Sequence, residues 1–356
     1  MHYTSLYETH KKLGARFMEF GGFEMPLQYT GIIDEHLSVR NRAGIFDVSH
    51  MGEIFIEGED AESFCEWLTP NHVSRLAEGQ AEYTFLLNER GGVIDDMIIY
   101  RLSGKSFMFC VNASNTDKDF RWIVQNKRGN ISIDDMSQDI GMISVQGPLS
   151  GRVAEPVFPS VSRLKRFSFD VRDFMNKQVY VSRTGYTGED GYECFVDKSV
   201  VVDLWNALMD SGRTHGIKPV GLGARDTLRA EMGYPLYGME LSETMTPLSA
   251  NLGWVIKMDK KSFIGRDALA SAARQGISKR LVGIIMNGKS IPRHQNPVLL
   301  KDRVIGEVTT GTYSPSLSRG IAMAYIDNNI EAVDVGIDIR SILHTGTIVQ
   351  LPFIKK

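Results

Sequence analysis

The sequence predicts an α+β protein that ends in a mostly β domain. Helical and strand patterns alternate over about the first 275 residues, with no low-complexity segment and no clear short repeat. From about Lys279 onward, β-like runs broken by Gly, Asn and Pro dominate. The polar stretch 271–280 lies between the two patterns. We therefore expect an α+β body followed by a C-terminal β domain of about 75 residues.

Several stretches of the body have the composition of strands. GEIFIEG at 52–58 and KQVYVSR at 177–183 are predicted as single strands. GGVIDDMIIYRL at 91–102 is followed by Ser103-Gly104-Lys105 and then by SFMFCVN at 106–112. This short Gly-containing connection predicts a hairpin.

Two stretches have helical periodicity. One begins at Thr116, which together with Asp119 has the pattern of a capped helix, and its apolar residues are Phe120, Ile123 and Val124. The other runs from Ser199 to Met209, and Gly212 predicts its end. Its apolar residues recur at i, i+3, i+4 and i+7, at Val201, Leu204, Trp205 and Leu208.

Charge and hydropathy exclude several classes of protein. The 356 residues include 40 Lys+Arg and 43 Asp+Glu, a formal net charge of −3, which argues against an extensive nucleic-acid surface. No apolar run approaches the roughly 18 residues that a membrane helix needs. The first residues lack the apolar core of a secretory signal. We expect a cytoplasmic protein with no membrane or nucleic-acid partner.

Cysteine and histidine spacing does not indicate a metal site. Cys65, Cys110 and Cys194 are too far apart for a disulfide framework, which suggests a reducing compartment. CxxC and HExxH are absent, and the eight histidines are scattered. Cys110 and Cys194 lie in apolar runs, so we interpret them as small buried residues.

One apparent phosphate-binding motif is rejected. Gly283–Ser290 fits GxxxxGK[ST], a loop that needs a preceding strand and a following helix. Here Leu281–Met286 is itself the predicted strand, and Pro292 follows where a helix should open. Asn287-Gly288 is better interpreted as a turn.

Four segments carry more polar and glycine residues than folding alone requires. Asp47–Glu53 leads into a strand, and its His50 is interpreted as structural. In Gly91–Tyr100, strand alternation puts Asp96 on an apolar face, whereas the face of Asp95 ends in Arg101. Asp96 is therefore the odder acid, although a bulge with two solvated acids explains the pattern equally well.

The other two segments are glycine-rich or basic. Ser182–Glu193 contains three glycines in seven residues, which suits either a close approach to a ligand or a long hairpin turn. In Gly221–Glu231, Arg225 and Arg229 share one helical face. The arginine pair is either solvated or, facing a pocket, a carboxylate clamp.

Together these segments closely resemble the glycine-cleavage T-protein family. The resemblance covers nearly the whole chain, in order and at the family's spacing. Its most specific parts are SRTGYTGEDGYE and GLGARDTLRAEMGYPLYG. Others are LYETHKKLGARFMEFGGFEMPLQYTGIIDEH, FDVSHMGE, NERGGVIDDMIIYR, VNASNTDKDF, QGP, NLGWVIK and TTGTYSPSLSRGIAMAYI. The Lys-Gly-Cys-Tyr motif of the related tRNA-modification branch is absent.

The resemblance implies a fold and a domain organisation. It implies a three-domain cloverleaf around a central folate channel. The body, residues 1–275, would contain two interleaved α+β domains, roughly 1–50 with 138–245 and 51–137 with 246–275. Residues 276–356 would form a β-barrel-like C-terminal domain.

The resemblance also implies a reaction. The family transfers a methylene carbon from an aminomethyl group on the lipoyl arm of H-protein to tetrahydrofolate. The products are 5,10-methylenetetrahydrofolate, ammonia and dihydrolipoyl H-protein. The expected co-substrate is tetrahydrofolate, the expected partner is lipoylated H-protein, and no metal is expected.

The family's functional positions map onto this sequence. Asp96 matches the catalytic carboxylate, Glu193 the pterin anchor, and Arg225 a further ligand contact. The remaining positions correspond to channel-lining residues: Tyr83, Tyr100, Tyr186, Met51, Val111, Asn112 and Trp254.

Two alternatives and one departure accompany the resemblance. The alternatives are a folate-dependent demethylase of a small methylated substrate and a non-catalytic folate-binding paralogue. The chain ends at Leu351-Pro-Phe-Ile-Lys-Lys356, without the Tyr- or Arg-bearing tail of many relatives. Contacts that such a tail makes are therefore not expected here.

Overall fold

The computed structural model describes residues 1–356 and has mixed helix and strand content, which confirms the α+β class. The eight α-helices are α1 (Tyr7–Lys12), α2 (Ile32–Asn41), α3 (Ala61–Leu68), α4 (Thr116–Gln125), α5 (Ser150–Ala154), α6 (Val201–Gly212), α7 (Leu222–Glu231) and α8 (Arg266–Gln275). The strands are β1 (Arg16–Phe20), β2 (Phe23–Gln28), β3 (Gly44–Asp47), β4 (Gly52–Gly58), β5 (Ala81–Leu87), β6 (Val93–Ser103), β7 (Ser106–Val111), β8 (Ile131–Asp135), β9 (Ile140–Gln146), β10 (Phe169–Phe174), β11 (Lys177–Ser182), β12 (Gly191–Asp197), β13 (Lys218–Pro219), β14 (Lys279–Met286), β15 (Pro297–Leu300), β16 (Arg303–Ser314), β17 (Arg319–Asp327), β18 (Asp334–Ile339) and β19 (Ile342–Val349). None of the helices combines the length and the apolar character needed to cross a membrane.

The chain forms two compact units, and both are discontinuous in sequence. The first unit comprises residues 1–84 and 96–225. The second comprises residues 85–95 and 226–356. Strands β5 and β6 therefore each begin in one unit and end in the other.

The first unit contains a six-stranded sheet in the order β10-β11-β12-β9-β3-β13. Its strands pair antiparallel, except that β13 is parallel to β3. One face packs against α5 and α6 in an apolar core, and Leu204, Trp205 and Leu208 of α6 are buried there. Helix α6 also ends at Gly212. The predicted periodicity and the predicted end of this helix are confirmed.

The five-stranded sheet has the order β5-β6-β7-β4-β8. Strands β6 and β7 form the predicted hairpin, with Ser103 opposite Ser106. Helix α4 begins at Thr116 as predicted, but the capping prediction is wrong. Thr116 already has helical backbone angles, and the cap position falls on Asn115 without a side-chain hydrogen bond. The Thr116 hydroxyl therefore faces backward, 3.4 Å from the carbonyl oxygen of Asn112.

The C-terminal part of the second unit is a closed barrel in the order β14-β17-β16-β15-β18-β19. The barrel begins at Lys279, as the change in sequence pattern predicts, and encloses its own apolar core. Strand β14 pairs antiparallel with both β17 and β19. Its backbone groups are committed to these ladders, so Gly283–Ser290 cannot be a phosphate loop.

The division of the body into two interleaved domains remains a proposal. The six-stranded sheet takes its strands from segments 44–47 and 140–219, and the five-stranded sheet from 52–135. The two compact units divide the chain at other residues, between 84 and 85, 95 and 96, and 225 and 226. Helix α8 continues to Gln275, so it occupies half of the polar stretch 271–280. The cloverleaf arrangement around a channel likewise stays a prediction.

Candidate functional site

Asp96 forms the centre of the first cluster. The hydroxyl of Tyr83 on β5 donates a hydrogen bond to Oδ2 of Asp96 over 2.9 Å. Nδ2 of Asn112, just beyond β7, donates to Oδ1 of Asp96 over 3.0 Å. The same amide is 3.0 Å from the backbone carbonyl oxygen of Asp96. Three predicted site residues thus meet, and two neutral donors fix the orientation of one carboxylate.

The two acids of β6 differ in exposure in the opposite sense to the sequence-based prediction. Asp95 is the carboxylate that is completely buried, whereas Asp96 is partly exposed. Asp95 shares its strand face with Val93, Met97 and Ile99, which are all buried. The face of Asp96 is partly open, because a sheet packs its most apolar face into the core. Accessibility, rather than an expensive position on an apolar face, makes Asp96 the reactive candidate.

Glu193 forms the centre of the second cluster. It lies on β12, in register with Ser182 on β11 and Ser144 on β9. Alternation puts this polar row on the face of the six-stranded sheet opposite the apolar core. Only 7% of Glu193 is exposed, and Thr184 Oγ1 donates to its Oε2 over 2.6 Å. Burial raises the pKa of the Glu193 carboxyl, and the Thr184 hydrogen bond and the Arg225 charge oppose that rise.

Arg225 packs against Tyr186, and its charge acts on Glu193. The guanidinium carbon of Arg225 is 4.9 Å from the centre of the Tyr186 ring, a cation–π arrangement. Burial lowers the pKa of Arg225, and the Glu193 charge opposes this shift. Nη1 of Arg225 is buried and has no hydrogen-bond partner. A charged donor without a partner is costly in a protein interior, so this atom is well suited to a ligand acceptor.

The remaining predicted residues lie at different depths. Tyr100 is 1% exposed, packs edge-on against Phe169 and Phe195, and has its hydroxyl 3.4 Å from Thr184 Oγ1. It therefore supports the Glu193 cluster from inside the core. Met51 is partly exposed and precedes β4.

Val111 does not join these clusters through its side chain. Val111 is fully buried and pairs with Gly52, so strand alternation turns its side chain away from the face of Asp96 and Asn112. Only its backbone can line the same space as Asp96. Trp254 belongs to the second unit and is 62% exposed.

The glycine-rich segment 183–190 connects β11 and β12, which confirms the hairpin alternative. Gly188 has φ +78°, and a Cβ on Gly185 would lie 2.1 Å from Oε1 of Gln146. The Gln146 amide donates to the carbonyl oxygen of Thr184 over 3.0 Å. Arg183 and Asp190 close the segment with paired contacts of 2.8 Å. The close backbone approach that the glycines permit therefore positions Thr184 and, through it, Glu193.

Comparisons with known proteins cover both parts of the chain. Residues 6–260 match the family model described as the GCVT N-terminal domain, and residues 279–355 match the glycine cleavage T-protein C-terminal barrel domain. The chain belongs to the glycine cleavage T-protein family. Aminomethyltransferases of Halothermothrix orenii and Pseudothermotoga lettingae are both 44% identical to it, over 99% of this chain and 99% and 98% of theirs. The crystal structure of the glycine cleavage system aminomethyltransferase T from Bartonella henselae superposes with a TM-score of 0.93 at 32% identity, covering 99% of this chain and 98% of that one.

His50 and Glu53 each have a buried polar atom without a hydrogen-bond partner. His50, interpreted as structural, is 2% exposed and its Nδ1 has no hydrogen-bond partner. Burial and the Arg225 charge lower the pKa of His50 to about 4. Glu53 is 1% exposed, and neither of its carboxyl oxygens has a partner. Burial, with a smaller effect of Asp135, raises the pKa of Glu53 well above its usual value. Both residues belong to FDVSHMGE, but only the fold shows that they are buried.

Arg229 does not serve the ligand site with Arg225, so the carboxylate-clamp alternative is wrong. It is 2% exposed within the second unit. There it bonds to Asp226 Oδ1 at 2.8 Å and to Thr310 Oγ1 at 3.0 Å, and it pairs with Glu240 at 3.2 Å. Its donors are therefore committed to structure. No group of three or more His, Cys, Asp or Glu side chains is arranged to hold a metal ion.

Proposed function

We propose that the chain catalyses the aminomethyltransferase step of glycine cleavage through Asp96, with tetrahydrofolate as co-substrate and lipoylated H-protein as donor. The aminomethyl group on the lipoyl sulfur would lose its nitrogen as ammonia. Its carbon would join tetrahydrofolate to give 5,10-methylenetetrahydrofolate, and the lipoyl arm would leave as the dithiol. Full-length similarity to aminomethyltransferases supports this reaction.

The observation that carries the proposal is the Asp96 cluster. A partly exposed carboxylate held by Tyr83 and Asn112 has a fixed direction and is not enclosed in the core. Such a group can accept a proton and stabilise developing positive charge without reorganising.

The second cluster fits a folate ring. A pterin presents an amide-like edge with adjacent N–H donors and a carbonyl oxygen. Glu193 offers carboxyl oxygens to the donors, the free Nη1 of Arg225 suits an acceptor, and Tyr186 offers an aromatic face. When bound, tetrahydrofolate supplies the nitrogen that takes up the methylene carbon.

Each side chain of the two clusters has a separate role in this proposal. Glu193 and Arg225 bind and orient the ring, and Thr184 and Tyr100 hold Glu193 in place. Asp96 faces the reacting atoms and manages a proton. The partly dry surroundings strengthen each of these interactions. A cytoplasmic location agrees with the reaction and belongs to the same proposal.

The test is ammonia release from aminomethylated H-protein in the presence of tetrahydrofolate. We expect turnover by the wild-type chain and a loss of about 10²-fold or more in Asp96→Asn. Folate affinity, measured separately by calorimetry, should change much less. Asp117→Asn, an exposed acid in the first turn of α4, serves as the control.

Four results would contradict the proposal. No ammonia above the Asp96→Asn background would exclude the reaction, and turnover of a free methylated compound in preference to H-protein would indicate a demethylase. Normal folate binding without turnover under any lipoyl donor would indicate a non-catalytic paralogue. A loss of folate binding with normal turnover per bound folate would mean that the role of Asp96 is wrongly assigned.

A further inference from the structure

Helix α2 lies outside the two clusters, and the proposed reaction assigns it no role. It runs from Ile32 to Asn41 in the first unit. Two of its charged side chains are buried: Glu35 is 0% exposed, and the side chain of Arg40 is 6% exposed. Burying a charge is costly unless it is paired and hydrogen-bonded. The partners of these two side chains therefore indicate what the helix holds in place.

Glu35 joins α2 to the start of α7. Its Oε1 accepts hydrogen bonds from the backbone N–H groups of residues 29, 30 and 31, at 2.6, 2.9 and 3.0 Å. Its Oε2 accepts from the N–H of Gly221 over 2.8 Å, and Gly221 immediately precedes α7. The carbonyl oxygen of Gly221 in turn accepts from the N–H of Arg225 over 3.1 Å. Glu35 thus holds the residue that forms the first helical hydrogen bond with Arg225.

The start of α7 also packs tightly against the segment that leads into α2. A Cβ on Gly221 would lie 2.3 Å from the carbonyl oxygen of Leu27, and a Cβ on Gly223 would lie 2.6 Å from Cδ1 of Ile32. Because the two backbones are already in contact, α7 cannot move closer to this segment. The hydrogen bond from Gly221 to Glu35 opposes movement in the other direction. The start of α7 is therefore fixed relative to α2.

Arg40 joins the other end of α2 to the glycine-rich segment 183–190. Its Nη1 donates to the carbonyl oxygen of Thr187 over 2.6 Å and to Oε1 of Glu189 over 2.9 Å. The side chain of Glu189 is 9% exposed, so this ion pair is largely shielded from water. Thr187 directly follows Tyr186, whose ring faces the Arg225 guanidinium. Arg40 therefore holds the backbone next to Tyr186.

We propose that Glu35 and Arg40 are positioning residues of the reaction, through which α2 sets the separation between the Tyr186 ring and the Arg225 guanidinium. This inference rests on the proposed function, in which both of those side chains contact the ligand. Tyr186 belongs to a loop and Arg225 to the first turn of a helix, so neither is held by a strand ladder. One helix that holds both keeps their geometry constant. A misplacement of about 1 Å in a binding group can cost about 10²-fold.

The experiment measures tetrahydrofolate binding and turnover in variants of the full chain. Anaerobic calorimetry gives the affinity, and ammonia release from aminomethylated H-protein gives KM and kcat. We expect Arg40→Met to weaken binding and raise KM about tenfold, while kcat falls less than about threefold, because a binding group rather than Asp96 is displaced. Arg40→Lys keeps a charge for Glu189 and should recover part of the affinity.

Glu35→Gln tests the other end of the helix. An amide has one acceptor oxygen and turns N–H donors towards backbone N–H groups, so Gly221 or the segment before α2 loses its acceptor. We expect tetrahydrofolate binding to weaken about tenfold with the same small change in kcat. The matched control is Asp34→Asn, in the same helical turn, which removes an exposed pair with Lys218 and should leave affinity and KM unchanged.

A double-mutant cycle separates positioning from a general effect on stability. If Arg40 acts through Tyr186, then Arg40→Met should weaken binding much less in a Tyr186→Leu background than in the wild type. A purely structural effect would weaken binding by the same factor in both backgrounds. Arg213→Met removes an exposed pair with Asp210 and should leave affinity unchanged in both. Circular dichroism and thermal unfolding verify the fold of each variant.

The inference and the proposed function fail in different ways. Wild-type affinity in folded Arg40→Met or Glu35→Gln, or equal losses in the two backgrounds, would overturn the inference and leave the proposed function in place. If Arg40→Met does not fold, Glu189→Gln, which removes the ion pair but keeps an acceptor, is measured in both backgrounds and judged by the same criteria. If the wild-type chain binds no tetrahydrofolate, the proposed function itself fails.

Discussion

The hydroxyl of Tyr83 donates a 2.9 Å hydrogen bond to Oδ2 of Asp96, from the strand next to the one that carries the acid. Asn112, just beyond the strand on the other side, donates to the opposite oxygen, Oδ1. One carboxylate thus accepts hydrogen bonds from the segments on both sides of its own strand. The orientation of the carboxylate therefore depends on the register of the sheet. Substituting Tyr83 or Asn112 should change the rate of ammonia release.

Removing the tyrosine hydroxyl should slow the reaction without unfolding the protein. We expect Tyr83→Phe to reduce kcat for ammonia release about tenfold, because Asp96 loses the orienting hydrogen bond from Tyr83. Folate affinity should change less than threefold, as expected when an interaction acts on the transition state. Tyr180→Phe, on β11, is a matched control and should leave kcat unchanged. An unchanged kcat in Tyr83→Phe would remove Tyr83 from the mechanism.

Adding one methyl group at Gly185 should disturb the Glu193 cluster. A Cβ there would lie 2.1 Å from Oε1 of Gln146, so the glutamine must move and Thr184 loses its support. We expect Gly185→Ala to lower the free energy of unfolding by about 1–3 kcal/mol. Tetrahydrofolate affinity should fall about tenfold, because Glu193 is misplaced. Gly104→Ala, whose nearest neighbour is 3.8 Å away, should be neutral in both urea unfolding and calorimetry.

Glu53 should make stability depend on pH. Burial holds the pKa of Glu53 above its usual 4.5, so the unfolded chain ionises first as pH rises. The contribution of Glu53 to the free energy of unfolding is therefore fully present below pH 4.5, and it declines as pH rises towards the folded-state pKa. Gln does not titrate, so this loss is absent from Glu53→Gln. The free energy of unfolding of the variant should therefore rise relative to that of the wild type as pH increases, by at most about 1.4 kcal/mol per pH unit. Urea unfolding from pH 4 to pH 8 measures the difference.

The matched control for this prediction lies on the same strand. Glu57 is exposed on β4, so Glu57→Gln should show no gain that grows with pH. A constant difference in unfolding free energy between Glu53→Gln and the wild type across the pH range would mean that folding does not shift the pKa of Glu53.

Arg229 should be essential for stability. We expect Arg229→Met to lower the free energy of unfolding by about 3–5 kcal/mol, because Glu240 stays buried with its charge uncompensated. Combining it with Glu240→Leu should recover much of the loss, in a double-mutant cycle by urea unfolding. Arg303→Met removes an exposed pair with Asp327 and should cost no more than about 1 kcal/mol. Additive losses in the double mutant would show that Arg229 and Glu240 do not act as a pair.

The sequence alone determined the order and type of the elements in several places. The periodicity of Val201–Leu208, the hairpin at Ser103-Gly104-Lys105 and the change to β structure at Lys279 depend on local spacing and turn residues. These signals are read within a few residues, so no tertiary information is needed. Motifs in the chain were also sufficient to recognise the family.

Tertiary structure decided which polar groups are exposed, paired or left unpaired. Strand alternation separated Asp95 from Asp96 but could not tell which face would be buried. Helical spacing likewise grouped Arg225 with Arg229, although the partners of Arg229 come from Thr310 and Glu240. Burial and hydrogen bonding depend on neighbours distant in sequence, and these meet only when the sheets pack. For that reason the unpaired Nδ1 of His50, invisible in its motif, emerges only from the fold.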